Sequence, residues 1–209
     1  MSGNAETSRP RRTQQERRAA TVAKLTDATI AAIGEVGYQR ATVQEICGRA
    51  GLSVGAMFRQ FDSRLDLIVR TAEEIVTQQL AAFTVVMKQL GDQANPLDTA
   101  LRFLQEAQSA TVTHALREIY LAARSDAELR ARIAPTVENY YDDIVAEVDR
   151  TGVLNQFPQR LREPIFFMAL HVFSGQAVVR GVYQRPELDD AVVKLVGDML
   201  RTYADSVDE

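Results

Sequence analysis

A serine between two glycines, Gly51-Leu52-Ser53-Val54-Gly55, is the one segment of this chain that matches a catalytic pattern. In hydrolases with a Gly-x-Ser-x-Gly turn, a strand precedes the serine, so that its hydroxyl stands exposed at the top of a sheet. Here the preceding residues point to a helix. Val43, Ile46 and Ala50 fall on one helical side, and Thr42 with Glu45 three residues on has the spacing of a capping box. Ser53 therefore reads as the N-cap of a further helix rather than as a nucleophile. The remaining reactive side chains are few. Cys47 is the single cysteine, which excludes an intramolecular disulfide and a multi-cysteine metal site; it reads as a small core residue. His114 and His171 are the only histidines, each suited to a core, an interface or a cavity wall. No dinucleotide fingerprint, phosphate loop or His-Glu-x-x-His occurs. No cofactor, metal or catalytic step is expected.

The elements that position these residues read as helices throughout. No run alternates apolar and polar residues between turn signals, so no strand is expected. Val22, Leu25, Thr29, Ile33 and Val36 mark one face of a helix from about 13 to 36, with Gly37 placed to end it in the left-handed conformation. A second helix spans 43–50, Gly51 breaks it, and a third covers 54–60. Asp62 or Ser63 caps a longer fourth helix that carries Leu65, Ile68, Ala72, Ile75 and Val76 inward. Gly91 and Asn95-Pro96 mark the next break. Further helices are expected at about 97–110, 114–124, 126–150, 159–184 and 187–205, punctuated by Thr113, Ser125-Asp126, Gly152, Pro158 and Arg185-Pro186. Pro135 falls inside one of these and should kink or interrupt it.

The charge is unevenly distributed. The net charge of −4 divides into eleven Lys/Arg against seven Asp/Glu in residues 1–70, and thirteen against twenty-one in the rest. One segment is thus built to meet phosphates and the other is not. Arg9, Arg11, Arg12, Arg17 and Arg18 crowd the start, either as a solvated tail or as an arm that follows phosphates or enters a minor groove. No secretory signal is visible and no apolar run approaches membrane-spanning length, so a cytoplasmic protein with no membrane partner is expected.

Thr42 to Phe61, TVQEICGRAGLSVGAMFRQF, has the parts of a helix-turn-helix. The first helix stacks on the core, Gly51 allows the tight turn, and the second helix offers its N-terminal residues to base edges. Small Gly55 and Ala56 let that helix sit deep, and Ser53 brings a hydroxyl and free backbone N–H groups to a phosphate. Gly37-Tyr38, Thr42-Val43, Glu45-Ile46, Arg49 to Ser53, Gly55, Phe58 to Phe61, Ser63-Arg64 and Leu67 together resemble the TetR family of bacterial transcriptional regulators. The likeness is strong over about 18–70; beyond it, Ala123 to Asp126 and two closing apolar helices match only in style. The resemblance implies phosphate contacts at Thr42, Ser53, Phe58 and Arg64. It implies base or groove contacts at Gln44, Val54, Gly55, Ala56 and Arg59. Phe58 stands where that family commonly has tyrosine, which removes a phosphate hydrogen bond and leaves packing. Arg64 stands for a common lysine, Leu65 for a common glutamate and Cys47 for a common alanine.

The expectation is an all-α protein in two parts. Residues 1–66 form a three-helix DNA-binding domain with a basic arm at about 9–18, and residues 67–209 a larger helical domain for effector binding and dimerisation. The implied function is transcriptional regulation on a palindromic operator, with repression relieved by a small apolar or aromatic molecule. Phe83, Met87, Phe103, His114, Tyr120, Tyr140, Phe166 and His171 are the candidates to bound its cavity. Homodimerisation is expected through the last two helices, where Leu188, Val192, Leu195, Val196, Met199 and Tyr203 lie at helical spacing after a segment, 165–173, apolar nearly all round. The competing reading is a helical enzyme or small-molecule carrier whose basic N-terminus is incidental.

Overall fold

The computed structural model describes residues 13–90 and 95–207; every regular element among them is an α-helix. Arg9, Arg11 and Arg12 of the expected basic arm, and Gly91, lie outside the described residues. Helix α1, Gln14–Val36, begins at Thr13, whose hydroxyl accepts from the Glu16 N–H while Glu16 returns a carboxylate oxygen to the Thr13 N–H at 2.7 Å. Arg17 and Arg18 therefore belong to the first turns of α1, so the arm as expected at 9–18 is helical from Gln14 onward.

Gly37 ends α1 as anticipated, but in a different conformation. Its φ is +82° with ψ 160°, a region essentially closed to side chains, rather than the left-handed helical basin. Its N–H still donates to the Ile33 carbonyl at 3.0 Å. Helix α2, Val43–Ala50, and helix α3, Val54–Phe58, are joined by Gly51 at φ +63° and ψ 34°. Helix α4, Arg64–Leu90, has 27 residues and so spans roughly 40 Å.

The later helices are α5, Pro96–Ser109; α6, Thr111–Ala123; α7, Ala127–Thr151; α8, Gln159–Arg180; and α9, Pro186–Val207. The largest departures from the expected boundaries are in α6 and α8, while α3 stops at Phe58, two residues early, with Arg59 as its C-cap. Helix α6 starts at an extended Ala110 with no side-chain cap, three residues before the anticipated start. Thr113, expected as punctuation, is inside it: its hydroxyl accepts from Gln79 at 2.8 Å and donates to the Ala107 carbonyl at 2.6 Å. Helix α8 stops at Arg180 rather than near 184. Helix α7 continues through Pro135 without interruption; the ring removes one N–H bond from the ladder, and the rest of the helix carries it.

Two cores lie in sequence along α4. The first takes Leu67, Ile68, Ala72, Ile75 and Val76 and joins them to Leu25 and Ile33 of α1, Ile46 and Cys47 of α2 and Met57 of α3. It also includes Ala115, Leu116 and Ile119 of α6 and Leu129 and Ile133 of α7. The second takes Phe83, Met87 and Leu90 with Leu101, Ile144, Phe157, Phe166, Phe173, Val193, Val196 and Leu200. Helices α1 and α6 meet closely at Gly34, where a Cβ would lie 2.9 Å from the Thr111 methyl carbon.

An ion pair braces the start of α4 against α7, with Arg132 Nη1 at 2.7 Å from Asp66 Oδ1. The Ser63 hydroxyl, donating at 2.6 Å, and then Arg132 hold the Asp66 carboxyl below the usual carboxylate range. A carboxylate with a depressed folded pKa adds stability that is present at neutral pH and lost as pH falls below about 4. Asp66→Asn should therefore melt below the wild type at pH 7, by a gap that narrows at pH 3. A gap of equal size at both pH values would assign the loss to packing instead.

Candidate nucleic-acid interface and internal cavity

The surface of α2 and α3 is built outward from buried anchors. Ile46, Cys47 and Met57 face the first core, and burial pushes the Cys47 thiol up, away from the reactive thiolate. Opposite them, Thr42, Gln44, Ser53, Val54, Gly55, Phe58 and Arg59 are exposed, with Ala56 half-buried. Thr42 caps α2 by accepting from the Glu45 N–H at 3.2 Å. The reciprocal half of that capping box is missing, because Glu45 pairs with Arg49 at 2.7 Å and Arg49 reaches on to Glu35 at 2.7 Å. Ser53 caps α3 by accepting from the Ala56 N–H at 3.1 Å, the structural role read from its sequence context. No strand precedes it, so the hydrolase arrangement is absent among the described residues.

Helix α3 presents a mostly apolar surface. Val54 is 36% and Phe58 50% exposed, and nothing lies within 4 Å of a Cβ built on Gly55. Arg59 adds the one cationic side chain of that helix end. Arg64 is placed differently from the other expected contacts: its Nε donates to the Ala41 carbonyl at 2.9 Å, its Nη2 donates to the Tyr38 carbonyl, and its guanidinium carbon sits 4.5 Å from the Tyr38 ring centroid. It clamps the corner between α1 and α2, with guanidinium donors to spare.

A second feature lies beyond the first core. A cavity of about 530 Å³ opens among α4 to α8, within the range that holds small ligands. Of the eight expected lining residues, Phe83, Phe103, Tyr120, Tyr140, Phe166 and His171 bound it. Met87 instead faces a small apolar pocket of about 40 Å³ that shares Phe83 and Phe166. His114 stands behind the wall, its Nδ1 3.0 Å from Arg117 Nη1. Three of the rings form a continuous aromatic wall: centroids are 6.1 Å apart for Phe83–Phe103 and 6.5 Å for Phe83–Phe166. Burial raises the phenol pKa values of Tyr120, Tyr140 and Tyr141, so all three hydroxyls stay protonated near neutral pH. Among the described residues no group of His, Cys, Asp and Glu could hold a metal ion, and no helix is long and apolar enough to cross a membrane.

Residues 25–71, which contain α2, α3 and their anchors, match the family described as bacterial regulatory proteins, tetR family. The chain is 35% identical over 189 residues to an HTH-type transcriptional regulator of Mycobacterium tuberculosis, covering 90% of this chain and 97% of that one. It is 32% identical over 182 residues to the HTH-type transcriptional regulator CymR of Pseudomonas putida, covering 84% and 86%. This chain belongs to the TetR family. A solved TetR-family regulator from Mesorhizobium loti shares the fold with a TM-score of 0.70 at 18% identity, over 89% of this chain and 98% of that one. As a TetR-family member the protein is a DNA-binding transcriptional regulator.

Sequence reasoning missed the polar side of the cavity in this TetR-family protein. Gln79, Gln108, Thr113, Arg117 and Ser174 all line it, as does Tyr141. A signal was present: Thr113, Leu116, Arg117 and Tyr120 recur at helical spacing on one side of α6, which places the arginine beside the tyrosine already singled out.

Proposed function

We propose that this regulator represses transcription as a two-fold homodimer in the cytoplasm and leaves its operator when a small apolar or aromatic molecule fills the cavity. The observation that carries the reading is the aromatic-lined cavity of about 530 Å³, which shares α4 and α6 with the core that supports α2 and α3. The dimer reading rests on two outward apolar stripes: Met168, Val172, Val179 and Val182 on and just after α8, and Leu188, Leu195, Met199 and Tyr203 on α9.

A ligand acts only through differential affinity for two shapes of the dimer. A tenfold preference for the shape with misplaced recognition helices lowers operator affinity by about 1.4 kcal/mol, and operator DNA must weaken ligand binding by the same factor. The test is a gel shift on the DNA upstream of the protein's own gene, across a salt series, with and without ligand. Specific retardation that falls steeply with salt and is reversed by ligand supports the reading. Retardation that ligand leaves untouched overturns the release step.

Base reading is proposed for Arg59. Arginine is the commonest reader of guanine, and a good bidentate contact carries about 1–3 kcal/mol of discrimination. Arg59→Ala should lower operator affinity and leave random-sequence affinity nearly unchanged, whereas Arg64→Ala should weaken both alike, having loosened the corner that presents α2. Equal losses on both DNAs for both variants would refute the division of roles.

A further inference from the structure

Among the described residues Arg117 makes no salt bridge, and no carboxylate lines the cavity beside it. This arginine lines the cavity from α6, half-buried, and its polar partners are His114 Nδ1 at 3.0 Å, the Gln108 carbonyl at 3.1 Å and the Gln108 side-chain oxygen at 3.4 Å. All three are neutral acceptors, since burial and then Arg117 itself lower the His114 pKa and keep that ring uncharged. The adjacent carboxylate, Glu118, is engaged elsewhere, accepting the Tyr38 N–H at 3.3 Å on the side of the α1–α2 corner. Arg49 and Arg132 show the alternative, with carboxylates at contact: Glu35 and Glu45 for the first and Asp66 for the second, each at 2.7 Å.

A cation taken out of water without a partner is costly, and the structure keeps one here beside a cavity. Burial lowers the Arg117 pKa, but from so high a starting point that the group remains charged. The three contacts use at most three of five guanidinium N–H donors, which leaves two for a ligand. One turn further along α6, the Tyr120 hydroxyl is buried without a hydrogen bond of acceptable geometry, although the Tyr141 hydroxyl is near. Both features belong to the same wall: a cation with donors to spare and a phenol hydroxyl without a partner.

We propose that the cavity takes a hydrophobic monocarboxylate, its carboxylate on Arg117 and its apolar body among Phe83, Phe103 and Phe166. One cation selects a monoanion over a dianion, and the low-dielectric wall strengthens the pair. This inference rests on the reading that the cavity is the effector site, and it narrows the effector from any apolar or aromatic molecule to an acid.

The test is titration calorimetry of the full chain with 2-naphthoate, 4-butylbenzoate and decanoate, each beside its primary amide, which keeps the shape and removes the charge. At least one acid should bind about tenfold or more tightly than its amide. Arg117→Gln should abolish that preference while amide affinity changes by less than about threefold, and Arg117→Lys should retain part of it. Binding of no acid, equal affinity for acid and amide, or a preference that survives in Arg117→Gln would overturn the proposal. The wild-type comparison decides even where a variant fails to fold. Operator gel shifts with the same compounds separate the two readings: an Arg117-dependent acid that leaves operator binding unchanged refutes ligand release alone. A neutral compound that releases operator, with no preference for acids, refutes this inference alone.

Discussion

Replacing Leu195 and Met199 together by glutamate should convert the protein from dimer to monomer and lower operator affinity by about 10²–10⁴-fold. The two side chains are 57% and 62% exposed on α9, facing away from Val193, Val196 and Leu200, which fill the second core. The substitutions therefore leave the monomer core untouched and act on the outward stripe. A two-fold dimer through this stripe would bring all four glutamates into one interface, so desolvation and like-charge repulsion both oppose association. A dimer holds two recognition helices roughly 34 Å apart, one turn of DNA. A monomer engages one half-site and forfeits the effective concentration that links the halves, which is the source of the stated range. Sedimentation velocity at micromolar concentration checks the mass, and fluorescence anisotropy on operator DNA checks the affinity. An unchanged mass would remove α9 from the interface, and a monomeric wild type would remove the dimer.

That stripe also shows where a one-dimensional reading reaches its limit. Leu188, Val192, Leu195, Val196, Met199 and Tyr203 do repeat at helical spacing, yet the structure divides them, with Val196 inward and Leu188, Leu195, Met199 and Tyr203 outward. Periodicity locates an apolar arc on a helix; it does not say which part of the arc meets its own core. Helix α2, by contrast, was legible to the residue, because Thr42 and Gly51 carry the chemistry of its two ends. The start of α6 was not: Ala110 turns the chain without any side-chain cap, so the nearest threonine drew the boundary three residues late. Arg117 escaped for a related reason. A charge on a helix of unknown orientation reads as solvated, and the spacing that pairs Arg117 with Tyr120 gains its meaning only once α6 is seen to wall a cavity.

Phe173→Ala should destabilise the protein by about 3–5 kcal/mol, the largest single-residue loss expected in the second core. Its ring is 0% exposed and belongs to the cluster formed with Phe83, Leu101, Ile144, Phe166 and Leu200. The cost combines lost transfer energy with a cavity that surrounding helices fill only in part. For a chain of this length about 2–4 °C of melting temperature follows each kcal/mol, so a drop of about 6–20 °C is expected in thermal denaturation. Leu121→Ala on the half-exposed side of α6 is the matched control and should shift melting little. Equal shifts for the two would mean that the second core is loosely packed around Phe173.

The continuity of the first core governs how this protein can be recombined with others. A chimera cut near residue 66, joining these DNA-reading helices to another sensor, would carry Leu25, Ile33, Ile46 and Met57 but leave behind Ala115, Leu116, Ile119, Leu129 and Ile133, against which they close. The incoming sensor would have to reproduce that surface and also pass Gly34 with the same shallow profile that Thr111 presents. Voids left there would cost about 24 cal/mol for each Å³. Module exchange in this scaffold should therefore transplant α6 and the first turns of α7 together with the DNA-reading helices, so that the seam moves as one piece.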